Sequence, residues 1–223
     1  MLNYSLINAS YQLTEEERQL LVSFPPNQTA DWVHSRYAEL KTKIKKYTLL
    51  LQLDRCAYCR KILEGDGYYE PLEHIAPKSV YPYWFFETRN LIVTCDRCNN
   101  LKGDTETLSD TFLKGVNFPN NSNDFRIFNP HFDNWSDHLK FGNDIFLVPK
   151  PNSKGEITIK ICKLYKYHII VNRAKELKLG QKEPLGRAIH RLKDLEKNNA
   201  LYQELFGEII EAMDHFKERV KDK

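Results

Sequence analysis

The sequence predicts an α+β fold: a small strand–strand–helix core stapled by four cysteines, with a following β-hairpin and flanking N- and C-terminal helices. Three observations carry that expectation. Cys56/Cys59 and Cys95/Cys98 form two Cys-x-x-Cys pairs with 35 residues between them. Short apolar runs at 71–75 and 91–94 read as strands, and the second leads into a helix-compatible stretch, Asp96 to Lys102, stopped by Gly103. Outside this centre, apolar residues recur in steps of three and four through otherwise polar segments.

In chain order, residues 1–13 are an irregular lead. Thr14-Glu15-Glu16-Glu17 is a capping box, with Thr14 at the N-cap and Glu17 at N3, and opens a short helix to about Phe24. Pro25-Pro26-Asn27 breaks it. Thr29 then caps a longer predicted helix, 29–53, along which Val33, Tyr37, Leu40, Ile44, Tyr47 and Leu51 form one apolar stripe. That stripe packs on the central core or, alternatively, forms a coiled-coil seam with another chain. Between Arg36 and Lys61 stand eight Lys or Arg against Glu39 and Asp54. Such a run suits phosphate tracking, and is also the ordinary pattern of a solvated helix face.

The cysteines have the firmest chemistry. A Cys-x-x-Cys turn brings two thiolates within reach of one tetrahedral zinc, with Zn–S near ~2.3 Å, and two such turns supply a closed, structural set of four ligands. Redox pairs or buried free thiols are the other uses of such residues; the doubled spacing selects zinc. The long spacer requires something folded between the knuckles. It carries Glu73-His74 on the first strand and the aromatics Tyr68, Tyr69, Tyr81, Tyr83, Trp84, Phe85 and Phe86. Core packing accounts for these rings; Tyr81-Pro82-Tyr83-Trp84, in the loop between the strands, also has the composition to stack on a base.

Beyond Asp104 the chain turns polar, and 118–124 reads as an exposed loop. His131, Asp133 and His138 offer a second metal set, yet Asn129-Pro130 and Asp133-Asn134 are turn formers first, so the reading there is structural. Segments 144–148 and 156–161, around the turn 149–155, are expected to form the β-hairpin, because Ile157, Ile159 and Ile161 alternate with Thr158 and Lys160. Three helices follow, over 167–179, 185–197 and 200–220. In the last, Leu201, Leu205, Ile209, Ala212, Phe216 and Val220 line one face, for the core or for a partner.

Composition excludes some classes. Hydrophobic residues make up 41% and aromatics 12%, enough for a real core, and a net charge of +3 is too small to argue nucleic-acid binding globally. No run reaches membrane-spanning length and the first residues do not read as a signal peptide. With four of five cysteines committed to metal and Cys162 left over, a reducing cytoplasm is the expected location. Neither a P-loop nor a Gly-x-Ser-x-Gly elbow occurs.

The central pattern is Glu73-His74-Ile75-Ala76-Pro77-Lys78, then Asn90-Leu91, then Cys98-Asn99-Asn100-Leu101-Lys102-Gly103. Over residues 54–104 it resembles the ββα-metal core of HNH endonucleases. The resemblance implies a metal-dependent phosphodiester hydrolase, with His74 as general base and Asn90 positioning the catalytic loop. Asn99 and Glu73 become ligands of a catalytic Mg²⁺ or Mn²⁺, distinct from the structural Zn²⁺ on Cys56, Cys59, Cys95 and Cys98. Lys78, Lys102, Lys45, Lys46 and Arg60 are the expected nucleic-acid contacts. With Cys56-Ala57-Tyr58-Cys59 and Asn129-Pro130 added, the layout resembles the PtuB-like nucleases of Septu and retron anti-phage systems, which implies a PtuA-like ATPase partner. Retron-linked relatives are associated with tRNA damage, so DNA and RNA both remain open as substrates. The competing expectation is a catalytically inert, zinc-stapled nucleic-acid-binding or adaptor subunit. The implied organisation is an N-terminal helical segment (1–53), a zinc-stapled ββα-metal (HNH) core (54–108), a loop and β-hairpin extension (109–165) and a C-terminal helical region (166–223).

Overall fold

The computed structural model describes residues 7, 9–63, 70–112, 115, 117–142 and 146–176 of the 223. The helices expected over 185–197 and 200–220, the end of that over 167–179, and Tyr68 and Tyr69 lie outside the described residues. The chain divides into two compact units, Met1–Leu139 with Pro149–Lys163, and Lys140–Val148 with Leu164–Lys223.

In the first unit, α1 (Glu15–Ser23) begins with the expected capping box. Thr14 Oγ1 accepts the Glu17 N–H at 3.2 Å, and Glu17 Oε2 accepts the Thr14 N–H at 2.9 Å. The single helix expected over 29–53 is shorter. Two 3-10 turns, Thr29–Val33 and Ser35–Tyr37, precede α2 (Ala38–Leu51). The local cause is Asp31, whose carboxylate accepts the N–H groups of Asn27 (2.9 Å) and Gln28 (3.1 Å), followed by the extended backbone of His34. Val33 therefore leaves the stripe and is 79% exposed, while Tyr37, Leu40, Ile44, Thr48 and Leu49 are buried.

α2 packs on the second of the two central strands, and the residue that caps it makes the joint. Gln52 Nε2 donates to the Val93 carbonyl at 2.7 Å and its Oε1 accepts the Val93 N–H at 2.9 Å, so one side chain meets both backbone groups of a strand residue. The strands β1 (Leu72–His74) and β2 (Leu91–Val93) are antiparallel, with Leu72 opposite Val93, Glu73 opposite Ile92 and His74 opposite Leu91. All six residues are buried, so both faces of this small sheet are covered. α3 (Asp96–Lys102) follows β2 and stops at Gly103, whose φ of +52° favours glycine. Tyr81 is enclosed, stacked on Trp84 with centroids 4.5 Å apart and donating to Glu106 at 2.6 Å, as the core reading required.

The hairpin differs from expectation. β3 (Leu139–Gly142) pairs with β4 (Phe146–Pro149), whereas Glu156 to Ile161 lie within a helix, α5 (Gly155–Ile161), that follows the short α4 (Trp135–His138). Helical spacing wins because Gly155, Thr158 and Cys162 are the buried positions, and Ile157 is left exposed. The Thr158 hydroxyl donates to the Lys154 carbonyl at 2.8 Å and accepts the Phe128 N–H at 3.1 Å, a buried pairing that a strand would forfeit. Only glycine fits at 155, where any Cβ would collide with the His138 carbonyl. In the second unit, α6 (Tyr167–Glu176) carries Arg173, which lies 4.3 Å from the Phe141 ring centroid and pairs with Glu176 at 3.0 Å.

Candidate functional site

The two knuckles converge. Cys56, Cys59, Cys95 and Cys98 are all buried, and their sulfur atoms lie within 4.8 Å of one another. Cys59 Sγ and Cys95 Sγ are 3.8 Å apart, close to the edge of a tetrahedron with ~2.3 Å Zn–S arms, roughly 3.8 Å. Four sulfurs at that spacing are a donor set that can hold zinc, tying the chain before β1 to the start of α3.

Beside this staple, a pocket of about 170 Å³ has Glu73, His74, Lys78, Asn99, Asn100 and Asp104 among its lining residues. Strict strand alternation would separate Glu73 from His74. β1 ends at His74, and both residues line the same pocket.

His74 is 2% exposed. Its Nε2 lies 3.1 Å from the Phe85 carbonyl, which can only accept, so Nε2 carries the proton and Nδ1 keeps its lone pair. Nδ1 is buried and has no hydrogen-bond partner. Burial pushes the imidazole pKa down to about 3; the Phe85 bond opposes that shift, and the charges of Lys78 and Lys102 add to it. The ring is therefore neutral at pH 7. Trp32 packs edge-on against it, centroids 4.4 Å apart, and Phe85 lies at 5.7 Å. Sequence spacing carried no sign of Trp32, which arrives from the 3-10 turn before α2.

Asn90 is wholly buried and grips the chain just past His74. Its Oδ1 accepts the Ala76 N–H at 2.8 Å, its Nδ2 donates to the Ala76 carbonyl at 3.2 Å, and its own carbonyl accepts the Ile75 N–H at 2.8 Å. Thr107 adds another tie, donating to the Ile75 carbonyl at 2.8 Å.

Two expected nucleic-acid contacts are corrected. Lys102 is buried, not phosphate-facing: its ammonium donates to Glu73 Oε1 at 2.8 Å, the His74 carbonyl at 2.9 Å and the Gly103 carbonyl at 3.3 Å. Arg60 is also buried; the knuckle turn sets its φ at +60°, and its guanidinium donates to the Gln52 carbonyl at 3.0 Å. Lys78 is half-exposed at the pocket, Lys46 is exposed on α2 and Lys45 is half-buried there.

For a catalytic dication, the pocket's oxygen donors include the second Glu73 oxygen, the Asn99 and Asn100 side-chain oxygens and the Asp104 carboxylate. Oxygen donors fit a hard ion such as Mg²⁺ or Mn²⁺, which keeps several waters and takes only one or two carboxylates. The His131, Asp133 and His138 set forms no such site. His131 Nε2 donates to the Leu91 carbonyl at 2.9 Å, and Asp133 is held by Lys154, Ser122 and the Asn129 N–H. Among the described residues the four cysteines are the grouping of metal-ligating side chains. Cys162 is buried, and burial raises its thiol pKa.

No family model matches the chain. It is similar to the Septu protein PtuB of Bacillus thuringiensis, 27% identical over 164 residues, which cover 74% of this chain and 54% of that protein. The chain thus spans about half the length of this relative. No helix among the described residues is long and apolar enough to cross a membrane.

Proposed function

We propose that the chain is a metal-dependent HNH endonuclease that hydrolyses phosphodiester bonds, working in anti-phage defence with a PtuA-like ATPase. One observation carries the reading: a neutral His74 with a fixed tautomer and an unpartnered Nδ1, in one pocket with Glu73, Asn99 and Lys78. His74 Nδ1 takes the proton of the attacking water. Asn90 aims it by fixing the backbone at Ala76, and Lys78 meets the substrate phosphate. Glu73 and Asn99 would hold Mg²⁺ or Mn²⁺, which when bound offsets the negative charge developing on the phosphate and the leaving oxygen. The cysteine set would hold Zn²⁺ structurally.

The likeness to the PtuB protein supports the defence role and the ATPase partner. With no P-loop in this sequence, nucleotide hydrolysis falls to that partner. A second reading, an inert zinc-stapled nucleic-acid-binding or adaptor subunit, draws on the depth of His74 within the core.

Metal add-back tests the proposal. Supercoiled plasmid and total tRNA are incubated with the zinc-loaded protein, with and without the ATPase, in buffer free of other divalent ions. Cleavage is expected to return with Mn²⁺ or Mg²⁺, and Asn99→Ala to shift the titration to higher metal concentration. Cleavage indifferent to both ions would overturn the reading.

A further inference from the structure

A second concavity lies in the first unit, a groove of about 820 Å³ that shares no lining residue with the His74 pocket. Its basic residues are Arg126, His138, Lys150 and Lys154. Lys154 is already satisfied, donating to the Ser122 carbonyl at 2.5 Å, Ser122 Oγ at 2.7 Å and Asp133 Oδ2 at 2.8 Å. His138 Nδ1 accepts the Lys154 N–H at 3.2 Å, and its Nε2 stands 3.5 Å from Asp133. The groove's own carboxylate, Glu156, pairs with Lys160 at 2.6 Å. That leaves the Arg126 guanidinium and the Lys150 ammonium, neither of which has a carboxylate partner among the described residues.

Both are carried on fixed backbone. The Arg126 N–H donates to the Thr107 carbonyl at 2.8 Å, beside the bridge between Leu108 and Phe125. The Lys150 N–H donates to the His138 carbonyl at 2.9 Å, and Ser153 Oγ ties that carbonyl (3.2 Å) to the Lys150 carbonyl (2.8 Å). The exposed Ile157 lines the same groove and offers apolar surface for sugar or base. Thr107 links groove and candidate site: its carbonyl accepts from Arg126, and its hydroxyl donates to Ile75, the residue after His74.

We propose that this groove binds the phosphate backbone of a nucleic-acid strand through Arg126 and Lys150, as an accessory contact for the substrate of the His74 pocket. The proposal rests on the nuclease reading for its ligand, since two uncompensated cations on rigid walls with apolar surface beside them match a polyanion carrying flat rings.

The test measures binding of labelled single-stranded and duplex DNA and RNA oligonucleotides over a range of KCl, using the full chain carrying His74→Ala so that no strand is cut. Removing two phosphate contacts with Arg126→Gln/Lys150→Gln is expected to weaken binding. It should also flatten the slope of log K against log salt by about 1.4 for single strands or about 1.8 for duplex. The conservative pair Arg126→Lys/Lys150→Arg should retain most of the slope, and Arg18→Gln, on α1, should leave it unchanged. An unaltered slope in the Gln pair overturns the groove, as does a parent protein that binds no nucleic acid. So does a pair that binds nucleic acid normally but loses affinity for polyglutamate, which would assign the groove to an acidic peptide. The two readings fail separately. Wild-type cleavage with an unaltered slope sinks only the groove, whereas a flattened slope without wild-type cleavage sinks only the nuclease.

Discussion

Lys102→Met isolates the buried ion pair on which the candidate site is built. Methionine keeps most of the aliphatic stem and removes the ammonium, which donates to Glu73, to the His74 carbonyl and to the Gly103 carbonyl. The Glu73 side chain is 9% exposed and Lys102's is fully enclosed, so the substitution strands a carboxylate in the interior. Breaking a buried pair from one side costs about 3–5 kcal/mol. For a chain of this size each kcal/mol lowers Tm by roughly 2–4 °C, so the expected loss is about 6–20 °C. The lower end is favoured because Glu73 borders the pocket, where water can reach its second oxygen. Thermal unfolding followed by circular dichroism, with zinc content assayed in parallel, gives the number. Glu73→Gln/Lys102→Met should recover part of the loss, because both charges are then gone. A Lys102→Met protein melting within about 1 °C of wild type would refute the claim that this pair holds β1 to α3.

Cys59→Ser should remove one ligand, lower bound zinc measured by elemental analysis, and unfold the central region, since zinc binding contributes folding energy; unchanged zinc and an unchanged melt would contradict the staple. Asn90→Ala should cost about 1–3 kcal/mol by stranding the buried Ala76 N–H and carbonyl, read from the urea midpoint. At Asp133, burial pushes the pKa up, but hydrogen bonds from His138, Lys154, Ser122 and the Asn129 N–H outweigh it and hold the carboxyl below its ordinary value. A depressed carboxylate contributes stability above its unfolded pKa, near ~3.9, that is lost as pH falls further. Asp133→Asn should therefore be less stable than wild type at neutral pH, with the gap closing below about pH 4. A gap that stays constant with pH would contradict that assignment.

Some of this was legible in the chain because the chemistry demands fixed spacing. Zinc geometry dictates Cys-x-x-Cys, and the capping box at Thr14 and Glu17 is a local hydrogen-bond pair, so both appear where expected. β1, β2 and α3 were visible for the same reason: each is bounded by its own turn or stop residue. What depended on distant partners was not visible. Lys102 looked like a surface lysine, although it sits four residues from Cys98 on one helix face, and that face is buried. The alternating isoleucines of α5 suggested a strand because nothing local shows that Thr158 will pair with Phe128. Trp32 against His74 and Gln52 against Val93 join segments far apart in sequence through side chains with no periodic signature.

The most direct measurement compares wild type with His74→Ala in Mn²⁺-dependent cleavage of supercoiled plasmid and total tRNA, with the proposed PtuA-like ATPase present and absent. Catalysis through His74 Nδ1 predicts that wild type cuts at least one substrate and that the variant, with its zinc retained, loses that cleavage by about 10²-fold or more. The substrate that is cut identifies DNA or RNA as the target. Equal cleavage by the two proteins would contradict the account, and no cleavage by wild type with the proposed ATPase present would leave His74 as a buried core histidine.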